Sequence, residues 1–306
     1  MNILLTGSTG MVGKNILDNP NSNNYRFICP TRKELNLTNK RAVYDFIKLS
    51  NPDLIIHAAG KVGGIKTNMK NPLIYLVDNI LMGLNVIMSA FENDINKVIN
   101  LGSSCMYPKN ANNPLIEDYL LSGKLEPTNE GYALSKIVTN RLCEYISDKK
   151  IEKNYKTIIP CNLFGKYDNF DLETCHLIPA IIKKVDMAIE NGSSIEIWGD
   201  GNSRREFMYA EDMANALYFI IENYESIDST MNIGLGYDFS INDYYNKISK
   251  IMNFDGEFIH NQNMPSGMKQ KLVSINKQEK LGWKPTFNLE DGLTRTIEHY
   301  YKFVKK

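Results

Sequence analysis

The sequence lacks a surplus of charge: its 306 residues carry 35 Lys and Arg against 35 Asp and Glu. That balance argues against a nucleic-acid or anionic-membrane partner, while leaving local basic clusters to meet phosphate. Cysteine is scarce and unpatterned, since Cys29, Cys105, Cys143, Cys161 and Cys175 are odd in number and form no CxxC pair. A disulfide framework and a zinc site are therefore not expected, and a reducing compartment is. The chain does not open with a positively charged region and a small-residue cleavage site, so no leader is expected. No apolar run is read as approaching the length of a membrane span. Repeats and low-complexity tracts are missing too. The expectation is a soluble, cytoplasmic protein that binds no metal.

What the sequence does contain is an alternation of short apolar runs, glycine turns and helical patterns, in a chain long enough for one core to become two. Residues 2–5 form an apolar run that stops at Gly7-Ser8-Thr9-Gly10-Met11-Val12-Gly13, after which a helix begins. Glycines between strand and helix permit a tight turn, let a pyrophosphate approach the backbone, and allow close packing of helix on strand. Directly after the first strand, this GxxGxxG pattern predicts a dinucleotide site at Gly7, Thr9, Gly10, Met11, Val12 and Gly13. Residues 25–29 read as the second strand, whose tip faces the adenosine ribose in such a fold. That tip is Thr31-Arg32-Lys33, so Arg32 suits the 2′-phosphate of NADP; a solvated loop with two positive charges is the alternative.

The third strand, residues 53–57, ends in Ala58-Ala59-Gly60, small enough for backbone to lie against a cofactor, and residues 61–65 follow as a flexible basic loop. Residues 72–91 predict a long helix that is apolar on more than one side. A second copy of the chain is the natural partner for the outer side, giving a homodimer; a thick monomer core is the alternative. After Gly165 the chain breaks into shorter pieces around loops. The expected fold is α/β: a Rossmann-type doubly wound parallel sheet over residues 1–165 and a smaller α/β substrate domain over 166–306. Some later segments are expected to return to the first sheet.

Chemistry concentrates in two stretches. In EGYALSK, residues 130–136, Tyr132 and Lys136 stand four apart and share one helix face. An ammonium beside a phenol favours the phenolate and is expected to lower the tyrosine from its ordinary value of ~10, fitting it for proton transfer. A half-buried Tyr with a surface Lys is the plain alternative for the pair alone. The second stretch, Gly102-Ser103-Ser104-Cys105, follows the strand at residues 97–101 and arrives at the carboxyl end of the sheet, where ligands sit. Ser103 can hydrogen-bond a reacting oxygen there. With the glycine turn, these groups specify hydride transfer with NADP(H).

On these and further pieces the chain resembles the extended short-chain dehydrogenase/reductase family over nearly its whole length. The pieces are GMVG (10–13), TRKELNL (31–37), HAAGKVGGI (57–65), LGSSCMYP (101–108), EPTNEGYALSK (126–136), DNF (168–170), HLIPA (176–180) and RREF (204–207). They are most similar to its GDP-4-keto-6-deoxymannose 3,5-epimerase/4-reductase branch, the GDP-L-fucose synthases. The resemblance implies a GDP-4-keto-sugar substrate, with Ser103, Tyr132 and Lys136 as the reductase set. It also implies Cys105 as the base and His176 as the acid that invert carbons 3 and 5. Read alone, Cys105 is a small core residue and His176 a helix-start histidine. The resemblance further implies cofactor contacts from Leu101, Asn162, Leu163 and His176. Substrate contacts are implied for Ser104, Asn162, Lys184, Trp198, Arg205 and Lys271, although Trp198 equally suits a core anchor.

Three positions depart from the branch: Lys184 replaces an arginine, Ser266 an aspartate and Gly131 a proline. The first two bear on sugar recognition and leave two substrates open, a 6-deoxyhexose and a GDP-4-keto-heptose of bacterial capsule synthesis reduced without epimerisation. A non-catalytic NADP-binding regulator is a third reading. Such proteins tend to lose the Tyr or Lys, and both are present here.

Overall fold

The computed structural model describes residues 1–149, 152–265 and 267–305. Ser266, one of the three departures, lies outside them. In chain order the strands are β1 Asn2–Thr6, β2 Arg26–Ile28, β3 Leu54–His57, β4 Lys97–Leu101, β5 Asn154–Pro160, β6 Asn162–Phe164, β7 Ile195–Trp198, β8 Arg204–Arg205, β9 Phe207–Tyr209, β10 Thr230–Ile233, β11 Phe239–Ser240, β12 Phe258–Asn261 and β13 Gln270–Lys271. The helices are α1 Met11–Asp18, α2 Lys40–Ser50, α3 Ile65–Lys70, α4 Pro72–Glu92, α5 Glu130–Lys149, α6 Leu177–Asn191, α7 Ala210–Glu222, α8 Ile241–Ile251, α9 Asn276–Lys280 and α10 Leu289–Phe303.

Six strands make one parallel sheet in the order β10-β5-β4-β3-β1-β2. Apart from the edge strand β2, their side chains are almost all buried, as expected of strands covered by helices on both faces. The chain leaves β1 for β2 on one side and returns to β3 on the other, so the order reverses between β1 and β3. In such sheets the crevice beyond the carboxyl ends at that reversal is where ligands bind. Gly7 ends β1 there and Ala58-Ala59-Gly60 ends β3. The edge strand β10 is sealed by side chains: Asn232 N–H donates to Glu117 Oε1 and Gly234 N–H to Gln278 Oε1, both at 2.9 Å, which removes a pairing edge.

A second apolar cluster, with Ile181, Val185, Ile197, Tyr244, Ile248, Leu293 and Tyr300, packs α6, α8 and α10 around β7 and β9. Parallel pairing of β6 with β9 and of β8 with β13 brings the late segments back toward the carboxyl end of the main sheet.

Two expectations about residues 61–92 need correction. The basic loop gives way at Ile65 to α3, because Gly64 in extended backbone starts a helix. Helix α4, at 21 residues, is long and apolar enough to cross a membrane, so a run of spanning length does exist. Its polar Asn79 and Asn85 break the run by eye yet lie on the buried side, with Tyr75, Gly83, Val86, Ile87 and Ala90. Leu73, Val77, Leu81 and Leu84 remain exposed on the other side, as do Leu134 and Val138 of the neighbouring α5. The predicted two-sidedness is therefore observed.

Candidate active site

The turn after β1 is built for close approach. Gly7 has φ +76°, and a Cβ there would sit 2.6 Å from the Ala59 nitrogen; a Cβ on Gly13 would sit 2.3 Å from the Gly7 carbonyl oxygen. A side chain at Gly7 would collide with the backbone after β3, and one at Gly13 would push α1 off the turn. Helix α1 opens at Gly10 with no side-chain cap, so its first-turn N–H groups stay available to an anion. Thr9 is exposed beside them, with Met11 and Val12 partly so. The tip of β2 is a folded turn: Glu34 Oε2 accepts from the Thr31 N–H and hydroxyl, both at 2.8 Å, and Arg32 and Lys33 project into solvent. Across the crevice, Asn79 braces Gly60 by accepting from Lys61 N–H at 2.7 Å and donating to its carbonyl at 3.0 Å. An uncapped helix start, an obligatory glycine cradle and an exposed guanidinium at the ribose end fit an NADP-type dinucleotide.

On the other side of the crevice, α5 carries Tyr132 and Lys136. Lys136 is buried, donates from Nζ to the Leu101 carbonyl at 2.8 Å, and lies 5.9 Å from the Tyr132 ring centroid. Burial pulls its ammonium down to about 8. Tyr132 behaves opposite to expectation: burial, then the proximity of Cys105, push its phenol well above the ordinary value, and a hydrogen bond with Ser103 only partly offsets this. Desolvation of an anion outweighs attraction to a lysine that is itself desolvated. The phenol is held in its protonated form. Beneath the pair, His57 is buried, hydrogen-bonded through Nδ1 to the Thr6 hydroxyl at 2.8 Å, and pulled down to about 3 by burial and then by Lys136. It is a neutral structural histidine.

Ser103 accepts the Cys105 N–H at 3.3 Å and opens a single helical turn that buries Ser104 and turns Cys105 toward two donors. Asn129 Nδ2 donates to Cys105 Sγ at 3.2 Å and Lys271 Nζ at 3.4 Å. Asn129 comes from the turn just before α5, and its own Oδ1 is buried without a hydrogen-bond partner among the described residues. His176 sits at the start of α6, lowered by burial and then by the Lys271 charge, so it too is held neutral. Arg205 joins the same neighbourhood: burial lowers its guanidinium, while Cys105 and Glu126 favour the charge.

Ser103, Cys105, Tyr132, Lys136, His176, Arg205 and Lys271 thus converge. Asn162 and Leu163 lie on β6, where Asn162 Nδ2 donates to the Glu206 carbonyl at 2.8 Å. Lys184 and Trp198 meet through a different residue: Lys184 Nζ donates to the Glu196 carbonyl at 2.9 Å and to Tyr245, and Trp198 Nε1 to Glu196 Oε1 at 3.0 Å. Asn79, Asn129 and Glu206 brace this neighbourhood without standing out in the sequence: Asn129 lies inside EPTNEGYALSK, and Glu206 follows the two arginines of RREF. The third departure, Gly131, has a steric reason, since a Cβ there would lie 2.6 Å from the Pro72 carbonyl oxygen at the start of α4.

The profile of the NAD dependent epimerase/dehydratase family matches residues 3–234, from β1 through the end of β10. The chain belongs to this family. Among its similar members, a GDP-L-colitose synthase of Yersinia pseudotuberculosis is 50% identical over 301 residues, spanning 98% of each chain. A GDP-L-fucose synthase of Azorhizobium caulinodans is 46% identical over 299 residues, covering 97% of this chain and 96% of the relative. A solved structure of a GDP-mannoheptose C4 reductase from Campylobacter jejuni, with NADP bound, superposes with a TM-score of 0.88 at 30% identity, covering 98% of each chain. The expected Rossmann-type sheet and the resemblance to GDP-sugar epimerase/reductases are both met.

Proposed function

We propose that this protein reduces carbon 4 of a GDP-4-keto sugar with NADPH and, before doing so, inverts stereocentres beside that carbon. The carrying observation is that Cys105 joins two chemical sets in one site: its N–H donates to Ser103 and its thiol faces Tyr132, while Lys271, which donates to its sulfur, also faces His176. NADPH, when bound, supplies the hydride. Tyr132, held protonated, donates to the carbon-4 oxygen as it becomes an alkoxide, and the Ser103 hydroxyl shares that oxygen. Lys136 is fixed by Leu101 at the nicotinamide end, where its ammonium serves the ribose. A ketone at carbon 4 acidifies the protons on carbons 3 and 5. Cys105, with two donors aimed at its sulfur, removes such a proton as a thiolate and becomes the thiol, and the charge passes to the enolate of the carbon-4 ketone. Neutral His176 keeps one protonated and one free ring nitrogen, so it can return a proton to the opposite face while taking one from solvent at the free nitrogen and staying neutral.

Arg205 suits a diphosphate through its planar guanidinium, and Asn162, Ser104, Lys184 and Trp198 complete the sugar-nucleotide side. Gly7, Thr9, Gly10, Met11, Val12 and Gly13 cradle the pyrophosphate, with Arg32 on the 2′-phosphate. The relatives named for GDP-L-colitose and GDP-L-fucose support GDP-sugar chemistry. A GDP-4-keto-heptose reduced without epimerisation is the second reading, favoured by Lys184, whose ammonium is turned onto Glu196 and Tyr245. The division at residues 165/166 then separates cofactor from substrate binding, and the exposed apolar faces of α4 and α5 pair two copies into a homodimer. Five free cysteines suit the cytoplasm.

The test is oxidation of NADPH by purified protein offered GDP-4-keto-6-deoxymannose, the precursor of GDP-L-colitose, or a GDP-4-keto-heptose. Turnover with one of them, abolished in Tyr132→Phe, supports the reading. A protein that binds NADPH but turns over none is a regulator instead.

A further inference from the structure

Glu206 is fully buried between β8 and β9, and among the described residues no side-chain cation is paired with its carboxylate. Three backbone donors hold it instead. Oε1 accepts from Leu235 N–H and from Gly236 N–H at 3.0 Å, and Oε2 from Val273 N–H at 2.9 Å. Its own N–H donates to the Lys271 carbonyl at 3.3 Å. One residue thus grips the chain on both sides of Leu272 and ties it to the end of β10. The strand so held is β13, whose Lys271 lies in register with Arg205 of β8. Leu115 and Val273 form a further bridge at the same place.

Only a group that accepts at both ends fits this bracket, because a glutamine amide would turn a donor toward a backbone N–H. We propose that Glu206 is a positioning residue for substrate capture: its carboxylate sets Lys271 and Arg205 at the spacing that binds the nucleotide-sugar and keeps Lys271 on Cys105. This rests on the proposed substrate contacts of those two cations.

The ionised form is strained by burial and by Asp238, which together raise Glu206 to about 7 against the pull of its three N–H donors. Cys161, Tyr237 and Tyr244 also face it, and Asp238 is itself held by Arg204 and Gln270. A carboxyl raised above its unfolded value binds its proton more tightly in the folded state. Between about 7 and the ordinary carboxylate range, lowering the pH therefore favours the fold. The same protonation removes one acceptor from the bracket and loosens Lys271. Fold stability and substrate capture thus move in opposite directions as pH falls through about 7, which a purely structural carboxyl would not produce.

The experiment measures KM for the GDP-sugar, KM for NADPH, kcat and melting temperature of the full chain from pH 6 to 8. The wild type is expected to show a rising sugar KM below pH ~7 with NADPH KM flat and melting temperature not falling. Glu206→Gln is expected to raise sugar KM roughly tenfold, the loss of about one charge-assisted contact, with NADPH KM little changed and the pH dependence gone. Asp168, also raised to about 7 by burial, is separated by Asp168→Asn, which should leave the wild-type profile in place. Should Glu206→Gln fail to fold, the wild-type and Asp168→Asn profiles decide: a flat sugar KM, or a slope lost in Asp168→Asn, overturns the proposal. If Lys271→Met and Arg205→Met raise sugar KM while Glu206→Gln does not, Glu206 alone is misassigned. If neither raises it, the substrate contacts themselves are wrong.

Discussion

The Lys136 ammonium is anchored to the Leu101 carbonyl at 2.8 Å and stands 5.9 Å from the centre of the Tyr132 ring. Burial moves the two in opposite directions, and both keep their ordinary forms at neutral pH, ammonium and phenol. Lys136 is lowered to about 8 and Tyr132 is raised well beyond its ordinary value, each chiefly by burial. For the free enzyme, Lys136 is charged below pH ~8 and loses its proton above it, while Tyr132 stays protonated throughout. The alkaline limb of kcat/KM should therefore fall near pH 8, and Lys136→Arg, which cannot deprotonate, should remove that limb even where the rate is reduced. A limb unchanged in Lys136→Arg would assign it to another group.

Tyr132→Phe should lower kcat by about 10²–10⁴-fold, the usual contribution of a positioned acid, and leave NADPH affinity nearly intact. Ser103→Ala should cost less, because the Tyr132 proton remains. Single-turnover NADPH oxidation and fluorescence titration of NADPH separate the two effects.

Much of this was legible in the chain. Apolar runs ending in glycine turns marked the main sheet and the crevice, because strands buried on both faces and their βα turns leave strong local signals. The helix face of Tyr132 and Lys136 was legible for the same reason. Burial was not: spacing gives neighbours but not solvent, so the direction of the tyrosine shift does not follow from it. Lys271 and Cys105 are 166 residues apart, and only the fold brings them together. The two-residue strands β8, β11 and β13 are too short to carry any periodicity, which hid the bracket around Glu206.

Arg32→Glu should lower the preference for NADPH over NADH by about tenfold or more, since one charge-assisted phosphate contact is replaced by repulsion. Comparing kcat/KM for the two cofactors reads this directly. An unchanged ratio would leave Arg32 as a solvated charge.

Leu73 and Val77 are exposed on α4, as are Leu134 and Val138 on α5, the helix that packs against it. Placing charges there, as in Leu73→Glu with Val77→Asp, should shift the protein from dimer to monomer in sedimentation, because buried unpaired carboxylates oppose an apolar interface. A wild type that sediments as a monomer at all concentrations removes the proposed pairing.

Cys105 and His176 can be separated from the reductase set. Cys105→Ser and His176→Gln should each cut solvent exchange at the inverted carbons by about 10²-fold or more, as loss of a general acid or base does, with NADPH binding retained.

The most direct measurement runs the reduction in deuterated water with NADPH and a GDP-4-keto sugar and locates deuterium in the product by NMR. Deuterium beside carbon 4, lost in Cys105→Ser, is the expected result and establishes inversion coupled to reduction in this site. NADPH consumed with protium at every ring carbon would contradict it and leave a carbon-4 reductase that does not epimerise.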